Sequence, residues 1–153
     1  IQENCIRSLR QRHCQIYSLA LPAAQFRNES VGEFLRIGDL PAGREESAAS
    51  FAKTYGVTLV LKGHRTVIAS PDGRLAVNPT GNSGMAKGGS GDVLSGMLVS
   101  LLGQGLDPFD ACWVGVYLHG LAGDLAAAEK TEYAMTPTDM IEKIPEAYKE
   151  ILG

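Results

Sequence analysis

The sequence lacks the patterns that mark membrane, nucleic-acid-binding and metal-binding proteins. No window approaches the ~18 apolar residues of a membrane span, and the first residues lack the basic and apolar regions of a signal peptide. Lysine and arginine form no cluster and the net charge is −3, which disfavours a nucleic-acid groove. Three cysteines, Cys5, Cys14 and Cys112, follow no metal-ligand spacing. These absences predict a cytoplasmic protein with reduced thiols, no membrane span and no nucleic-acid partner.

The composition supports one folded core. The chain has 153 residues, of which 44% are hydrophobic and 20% charged, and this is enough to bury a core of ordinary size. Because the chain begins with Ile1 and not with methionine, we expect that further sequence preceded it.

The densest cluster of glycines lies between Asn78 and Leu94, where the sequence reads NPTGNSGMAKGGSGDVL. Glycine permits positive φ angles and close backbone approach, so consecutive N–H groups can turn inward around a phosphate. Five positions have this freedom: Gly81, Gly84, Gly88, Gly89 and Gly91. The stretch therefore predicts an anion-binding loop.

An apolar helix follows the glycines and begins near Asp92. One face is predicted to be buried because its members recur at helical spacing: Leu94, Met97, Leu98, Leu101 and Leu102. The free N–H groups and the positive end of the helix dipole, at residues 90–93, would face the anion. The sequence thus brings one carboxylate, Asp92, to a phosphate-binding helix start.

Two simpler interpretations compete with this one. Five glycines can form a flexible linker, and an aspartate before a helix is commonly an N-cap. Pro79, Asn82 and Met85 argue against a linker, since linkers have a more monotonous composition. The loop is not a Walker A motif, because no Gly-Lys-Ser/Thr follows, and it is not a dinucleotide-binding fingerprint after a first strand.

The remaining pattern alternates helices and strands, which predicts an α/β fold without internal repeats. A helix is predicted over residues 45–55, with Gly56 at its C-terminal cap. Residues 57–62 are nearly all apolar, as in a strand of a parallel sheet, and turns lead to further strands over 65–70 and 74–77. Asp107 with Pro108 begins a second long helix after the loop. Thr136 begins a last helix, interrupted at Pro145.

The run NPTGNSGMAKGGSGDVLSG resembles the signature of the ADP/ATP-dependent NAD(P)H-hydrate dehydratases, a branch of the ribokinase-like superfamily. Two flanking stretches extend the likeness: VLKG at residues 60–63 with TVIA and PDG after it, and GVYLHGLAGD at residues 115–124. The resemblance covers about residues 45–145. It implies the C-terminal portion of a ribokinase-like three-layer α/β/α domain, so that residues 1–153 form a single partial domain.

The resemblance also implies roles for individual residues. Asp92 would be the catalytic base on a substrate hydroxyl and would contact the substrate, NAD(P)HX, the hydrated dinucleotide. ADP or ATP would supply the phosphoryl group with Mg²⁺, and no protein side chain is predicted as a metal ligand. The implied nucleotide contacts are Lys62, Gly63, His64, Arg65, Thr66, Asn82, Gly88, Gly89, Ser90 and Gly91.

Several of these side chains have a second interpretation. Lys62 either neutralises phosphate or is a solvated strand end. His64 is unusual at its place in the family pattern, and we expect it to be exposed. His119 is predicted to be a hydrogen-bonded core residue, and Asp124 a tether between helix and loop. Lys87 replaces a small polar residue of the family loop and either adds charge near the phosphates or points to solvent.

The first 40 residues match the family poorly. A family segment of the form Thr-Pro-His-x-Gly-Glu contacts the hydrated dinucleotide, and its nearest counterpart here keeps only Gly32 and Glu33. Glu33 is therefore the implied substrate contact on that side. The leading strands of the family domain are absent, so residues 1–40 are interpreted as a remnant of them.

The main hypothesis is the nucleotide-binding part of an NAD(P)H-hydrate dehydratase, which repairs hydrated dinucleotides and, like its family, forms homo-oligomers. One alternative is a vitamin-type small-molecule kinase of the same superfamily. The other is an inactive nucleotide-binding or assembly module, which the missing N-terminal half favours.

Overall fold

A computed structural model describes residues 43–153. Helix α1 (Arg44–Tyr55) leads into three short strands, β1 (Leu59–Leu61), β2 (Val67–Ala69) and β3 (Leu75–Val77). A 3₁₀ turn (Ser83–Met85) and three longer helices complete this part of the chain: α2 (Ser90–Gly103), α3 (Pro108–Ala134) and α4 (Pro137–Leu152). The alternation predicted from sequence is confirmed, and Glu33 and residues 1–40 lie outside the described residues.

The three strands form an antiparallel sheet in chain order. Leu59 pairs with Ala69, and Ile68 pairs with Ala76. Within residues 43–153, β1 pairs only with β2 and in antiparallel direction, so the parallel pairing expected for residues 57–62 is not found there. Strand β1 is half-buried, whereas β2, the middle strand, is wholly buried.

Helices cover both faces of this sheet. On one face, Ala48 and Ala52 of α1 pack against Val67 and Ala69, and their small side chains allow the helix to approach closely. On the other, Ile68 packs against α2 and α3 in a cluster with Leu94, Phe109, Cys112 and Val116. Side chains along β2 alternate between the two faces, as the pleat of a strand requires. The three-layer α/β/α arrangement is thereby confirmed.

Local signals set the helix ends. Gly56 ends α1 in the left-handed conformation (φ 64°), as predicted. The Asp107 carboxylate accepts the N–H groups of Phe109 (3.0 Å) and Asp110 (3.4 Å) and so caps α3. At α4, Thr136 and Asp139 form a reciprocal capping box.

Two expectations about helices are corrected. Leu102 is 39% exposed and not part of the buried face of α2, which is built on Leu94 and Leu101. The predicted break at Pro145 is also wrong, because α4 runs through it. Met140 and Ile151, buried on either side of the proline, hold the helix against its neighbours despite the lost hydrogen bond.

Cys112 is a free, buried thiol, and burial raises its pKa, so it remains protonated near neutral pH. Cys5 and Cys14 lie outside the described residues. No helix between residues 43 and 153 is long and apolar enough to cross a membrane.

Candidate functional site

A cleft of about 690 Å³ opens between two backbone segments. One is the turn after β1, residues 62–66, called here the strand-end turn. The other is the stretch from Asn78 to Gly91, called here the glycine loop. Val116, His119 and Gly120 of α3 also line the cleft. Both segments named from sequence as nucleotide contacts thus share one cavity.

The glycine loop is anchored where it leaves β3. Asn78 is buried, and its side-chain amide donates to the carbonyls of Thr80 (3.0 Å) and Val116 (3.5 Å). The Thr80 hydroxyl donates to the carbonyl of Tyr117 (2.9 Å). Gly120 makes this close approach possible, because a Cβ there would lie 2.8 Å from the Thr80 backbone. The loop therefore begins in a fixed position against α3.

Asp124 holds the next part of the loop. Its carboxylate accepts the Gly81 N–H (2.8 Å) and the Asn82 side-chain amide (2.9 Å), which confirms the predicted helix–loop tether. The Asn82 side-chain oxygen accepts the Gly84 N–H (3.0 Å) and starts the 3₁₀ turn. Asn82 lines the cleft, while its side chain is already committed to the loop.

Lys87 is exposed and lies among the residues that line the cleft. Its ammonium donates to the carbonyls of Glu132 (3.0 Å), Tyr133 (3.0 Å) and Met135 (2.5 Å), at the junction of α3 and α4. The ammonium is therefore bound to backbone and does not simply point to solvent, while a role for its charge near the phosphates stays a prediction. The carbonyls at the end of α3 lack intrahelical donors, and they attract the cation.

Helix α2 begins immediately after the last glycines. Gly89 occupies the N-cap position with φ 95°, so Asp92 is the third helical residue and not the cap. Within residues 43–153, no acceptor takes up the Gly91 N–H. The Asp92 side chain is exposed and has no hydrogen-bonding partner in the same range. The helix start thus presents a free donor beside a free carboxylate.

Lys62 brings a positive charge to this helix start. A Cβ built on Gly91 would lie 2.8 Å from Lys62 Nζ, so the ammonium and the Gly91 N–H are neighbours. In the described part of the chain, Lys62 forms no ion pair. A cation and a free amide that converge from two separate elements form a site suited to a phosphate oxygen.

His119 hydrogen-bonds to the same helix start. Its side chain is buried, and Nε2 lies 2.9 Å from the Ser90 carbonyl oxygen, so the ring donates to it. Burial lowers the pKa of His119, the nearby Lys62 ammonium lowers it further, and the bond to Ser90 opposes both. The hydrogen-bonded core histidine expected from sequence is confirmed.

Arg44 organises the strand-end turn. Its guanidinium donates to the carbonyls of Leu61 (3.1 Å), Lys62 (3.1 Å) and His64 (2.6 Å). Gly63 has φ 145° at this point, and a Cβ there would lie 2.9 Å from the guanidinium. Sequence reasoning missed Arg44, since nothing in the local pattern of a helix start indicates a contact 17 to 20 residues away.

The structure brings together most of the predicted contacts. Eight line the cleft: Lys62, Gly63, His64, Arg65, Thr66, Asn82, Ser90 and Gly91. Gly88, Gly89 and Asp92 belong to the adjoining backbone but are not in its lining. His64 is exposed, as expected. Among residues 43–153, no group of three His, Cys, Asp or Glu side chains could hold a metal ion.

Comparison with known proteins gives a consistent result. The family model described as NAD(P)H-hydrate dehydratase matches residues 30–146. A bifunctional NAD(P)H-hydrate repair enzyme from Moorella thermoacetica is 52% identical over 102 residues, which cover 67% of this chain and 19% of that protein. An ADP-dependent (S)-NAD(P)H-hydrate dehydratase from Bacillus subtilis is 38% identical, over 77% of this chain and 45% of that protein.

Solved structures agree. The ADP/ATP-dependent NAD(P)H-hydrate dehydratase from Bacillus subtilis, co-crystallised with ATP/Mg²⁺, superposes with a TM-score of 0.73 at 38% identity, over 78% of this chain and 45% of that one. A ribokinase-like superfamily protein from Enterococcus faecalis gives 0.60 at 36% identity, over 69% and 36%. The chain spans less than half the length of these relatives. It belongs to the NAD(P)H-hydrate dehydratase family, and its fold is part of a ribokinase-like α/β/α domain.

Proposed function

We propose that this chain is the nucleotide-binding part of an ADP/ATP-dependent NAD(P)H-hydrate dehydratase, which restores NADH or NADPH from the hydrated form. The observation that carries the proposal is the proximity of two donors, the Lys62 ammonium and the free Gly91 N–H, at the start of α2. Both groups favour negative charge, and neither is neutralised by a carboxylate of residues 43–153. A terminal nucleotide phosphate is the ligand that this pair fits best.

In this proposal Asp92 is the base. It follows Gly91 on the first turn of α2, and its exposed carboxylate is free to accept the proton of the substrate hydroxyl. Gly91 and Lys62 then stabilise the charge that develops on the transferred phosphoryl group. The bound nucleotide supplies that group, from the γ-phosphate of ATP or the β-phosphate of ADP.

The new phosphate ester makes elimination possible. Phosphate departs with the electrons of the carbon–oxygen bond, the ring loses a proton, and NADH or NADPH is restored. Mg²⁺ would be held mainly by the nucleotide phosphates, in keeping with its preference for few protein ligands.

Nucleotide binding is the first test. Titration calorimetry with ADP and with ATP would compare the unsubstituted chain with Lys62→Met and with Lys53→Met, a matched loss of charge on the exposed side of α1. We expect binding that Lys62→Met weakens on the order of tenfold and Lys53→Met leaves unchanged. Absence of binding by the unsubstituted chain would contradict the proposal.

Turnover is the second test. The chain, and a chimera preceded by the matching upstream part of the Bacillus subtilis relative, would be incubated with hydrated NADH, nucleotide and Mg²⁺. Recovered nicotinamide absorbance with release of inorganic phosphate identifies a dehydratase. A stable phosphorylated product of another substrate would identify the small-molecule kinase, and nucleotide binding without turnover in either protein would identify the inactive module.

Two further expectations belong to this proposal. The protein would act in the cytoplasm, where its dinucleotide substrate is found, and it would form homo-oligomers. Mass measurement in solution tests the second.

A further inference from the structure

The Lys87 ammonium is fully hydrogen-bonded at the junction of α3 and α4. An ammonium has three donors, and all three are taken up by carbonyls, those of Glu132, Tyr133 and Met135. This is a built contact between segments 45 to 48 residues apart in the chain. Each of these bonds is charge-assisted and therefore stronger than a neutral one.

The junction that Lys87 binds is a strained break in the helix. Thr131 has φ 66° and ψ 158°, a conformation that is almost exclusive to glycine. The last turn of α3 follows it as far as Ala134, and α4 begins at Pro137. Several neighbouring contacts face the same junction: Ser83 hydrogen-bonds the Glu132 carboxylate, and a Cβ on Gly84 would lie 2.5 Å from the Glu132 carbonyl oxygen. The glycine loop is thus seated on this break.

Lys87 also lines the cleft, and its backbone bonds to the start of α2. Its carbonyl accepts the Ser90 N–H (3.3 Å), the first donor of α2, and Gly91 with its free N–H comes next. One residue therefore joins the carboxyl end of α3 to the amino end of α2.

Only glycines separate Lys87 from that helix start. Gly88 has nothing within 4 Å of the position of a Cβ, and Gly89 has a positive φ. Without side chains these residues cannot fix their own backbone. The position of Gly91 then depends on Lys87 on one side and on His119, bonded to Ser90, on the other.

We infer that Lys87 is a positioning residue for the phosphate-binding start of α2, and that it couples this site to the junction of α3 and α4. The inference rests on the proposed nucleotide site. In this inference Lys87 acts through the position of the Gly91 N–H, because its three donors are already bound to carbonyls. A bound nucleotide should in turn restrain the backbone of residues 132–135.

The experiment compares three variants by calorimetric titration with ADP. Lys87→Met removes the three bonds, and Lys87→Arg keeps a donor that can reach them. Lys130→Met is the matched control, because Lys130 pairs with Asp139 at the same junction (2.6 Å) and, within residues 43–153, forms no hydrogen bond or ion pair with the glycine loop. We expect a loss of affinity on the order of tenfold for Lys87→Met, and affinities within about threefold of the unsubstituted chain for the other two.

Amide hydrogen exchange gives a second readout. In the unsubstituted chain, ADP should slow exchange at residues 132–135, and Lys87→Met should abolish that protection. A purely structural role would lower the unfolding temperature of Lys87→Met and Lys130→Met alike and leave both readouts unchanged.

The outcomes separate the two proposals. Suppose that the unsubstituted chain binds ADP, that the ADP affinity of Lys87→Met is within twofold of it, and that ADP still slows amide exchange at residues 132–135 in the variant. The inference about Lys87 is then overturned, while the proposed function stands. If the unsubstituted chain does not bind nucleotide, the proposed function falls and the inference falls with it. If Lys87→Met does not fold, the protection measured in the unsubstituted chain and the Lys87→Arg titration decide the question.

Discussion

The two walls of the cleft are held in different ways. The glycine loop is tied to α3 and to the junction after it by five side chains: Asn78, Thr80, Lys87, His119 and Asp124. The strand-end turn is held by one guanidinium, that of Arg44, and by a bond of 3.1 Å from the Thr66 hydroxyl to the Gly63 carbonyl. Five side chains thus fix one wall, whereas two fix the other.

This difference separates two tasks. The glycine loop ends at Gly91, and Asp92 follows it on α2. The geometry of these two residues is proposed to decide how a phosphoryl group and a hydroxyl meet, and small misplacements there lower a reaction rate strongly. The strand-end turn contributes Lys62, whose flexible stem tolerates small displacements of its backbone. Rigidity is concentrated where the chemistry is proposed to occur.

The largest effect is expected from the glycine loop. In the chimera that restores the upstream part of the domain, Asp92→Asn should lower turnover about 10²–10⁴-fold, because the amide cannot accept the substrate proton. Nucleotide affinity should stay nearly unchanged, because the carboxylate is exposed and outside the cleft lining. Steady-state kinetics measures the turnover, and titration with ADP measures the nucleotide affinity. Retention of more than about a third of the rate would remove Asp92 from the mechanism.

Arg44→Ala tests the weaker wall. Three carbonyl contacts are lost at once, so the strand-end turn should loosen and ADP affinity should fall on the order of tenfold. Lys53→Ala, on the exposed side of the same helix, serves as the control for a lost positive charge. Equal affinities in the two variants would show that the turn does not need Arg44, and the contrast between the walls would then be lost.

Gly91→Ala tests the point where the glycine loop and Lys62 of the strand-end turn come together. The new methyl group would displace the Lys62 ammonium and obstruct approach to the helix start, so we expect ADP affinity to fall several-fold while the unfolding temperature stays close to that of the unsubstituted chain. Gly88→Ala is the matched control, since a Cβ there meets open space and φ is not positive. Calorimetry and thermal unfolding should show the difference between the two.

Thr131→Gly should stabilise the junction of α3 and α4, against which the glycine loop packs. Glycine adopts the observed φ of 66° without strain, and relief of ~1–3 kcal/mol outweighs its cost in backbone entropy, so stability should rise by about 1 kcal/mol. Chemical unfolding measures this gain. Unchanged or lower stability would show that the junction is not strained.

Acid should lower the stability of the folded chain slightly, through His119. Burial lowers the pKa of His119 in the folded chain, so the unfolded chain binds the proton first as the pH falls. Stability should therefore decline as the pH falls below about 6.5, the value for free imidazole. In His119→Gln, which keeps a donor and cannot be protonated, this part of the decline should disappear. The comparison is made by chemical unfolding at pH 7.5 and pH 5.5.

Sequence predicted the features that depend on near neighbours. Asp107 before Pro108 and Thr136 before Asp139 are caps that act over three residues, and both are present. The glycines before Asp92 likewise predicted a helix start, and α2 begins at Ser90. A short-range pattern contains the information that such features need.

Contacts between distant segments were beyond this kind of reasoning. Lys87 and Arg44 each bind carbonyls that carry no side-chain signature, in segments 17 to 48 residues away. The antiparallel pairing of β1 with β2 was not predicted either, because a short apolar run does not by itself show in which direction its neighbour runs. Leu102 fitted the helical spacing but lies at the edge of the apolar stripe.

The Lys62 charge also bears on how fast an anion can reach the cleft. The whole sequence carries a net charge of −3, which repels a nucleotide at long range, whereas Lys62 attracts it only at close approach. At physiological ionic strength the Debye length is about 8 Å, so the distant repulsion is screened and the local attraction survives. We therefore expect the association rate constant for nucleotide to vary little with salt concentration, unlike that of a ligand steered by a wide field of like charges.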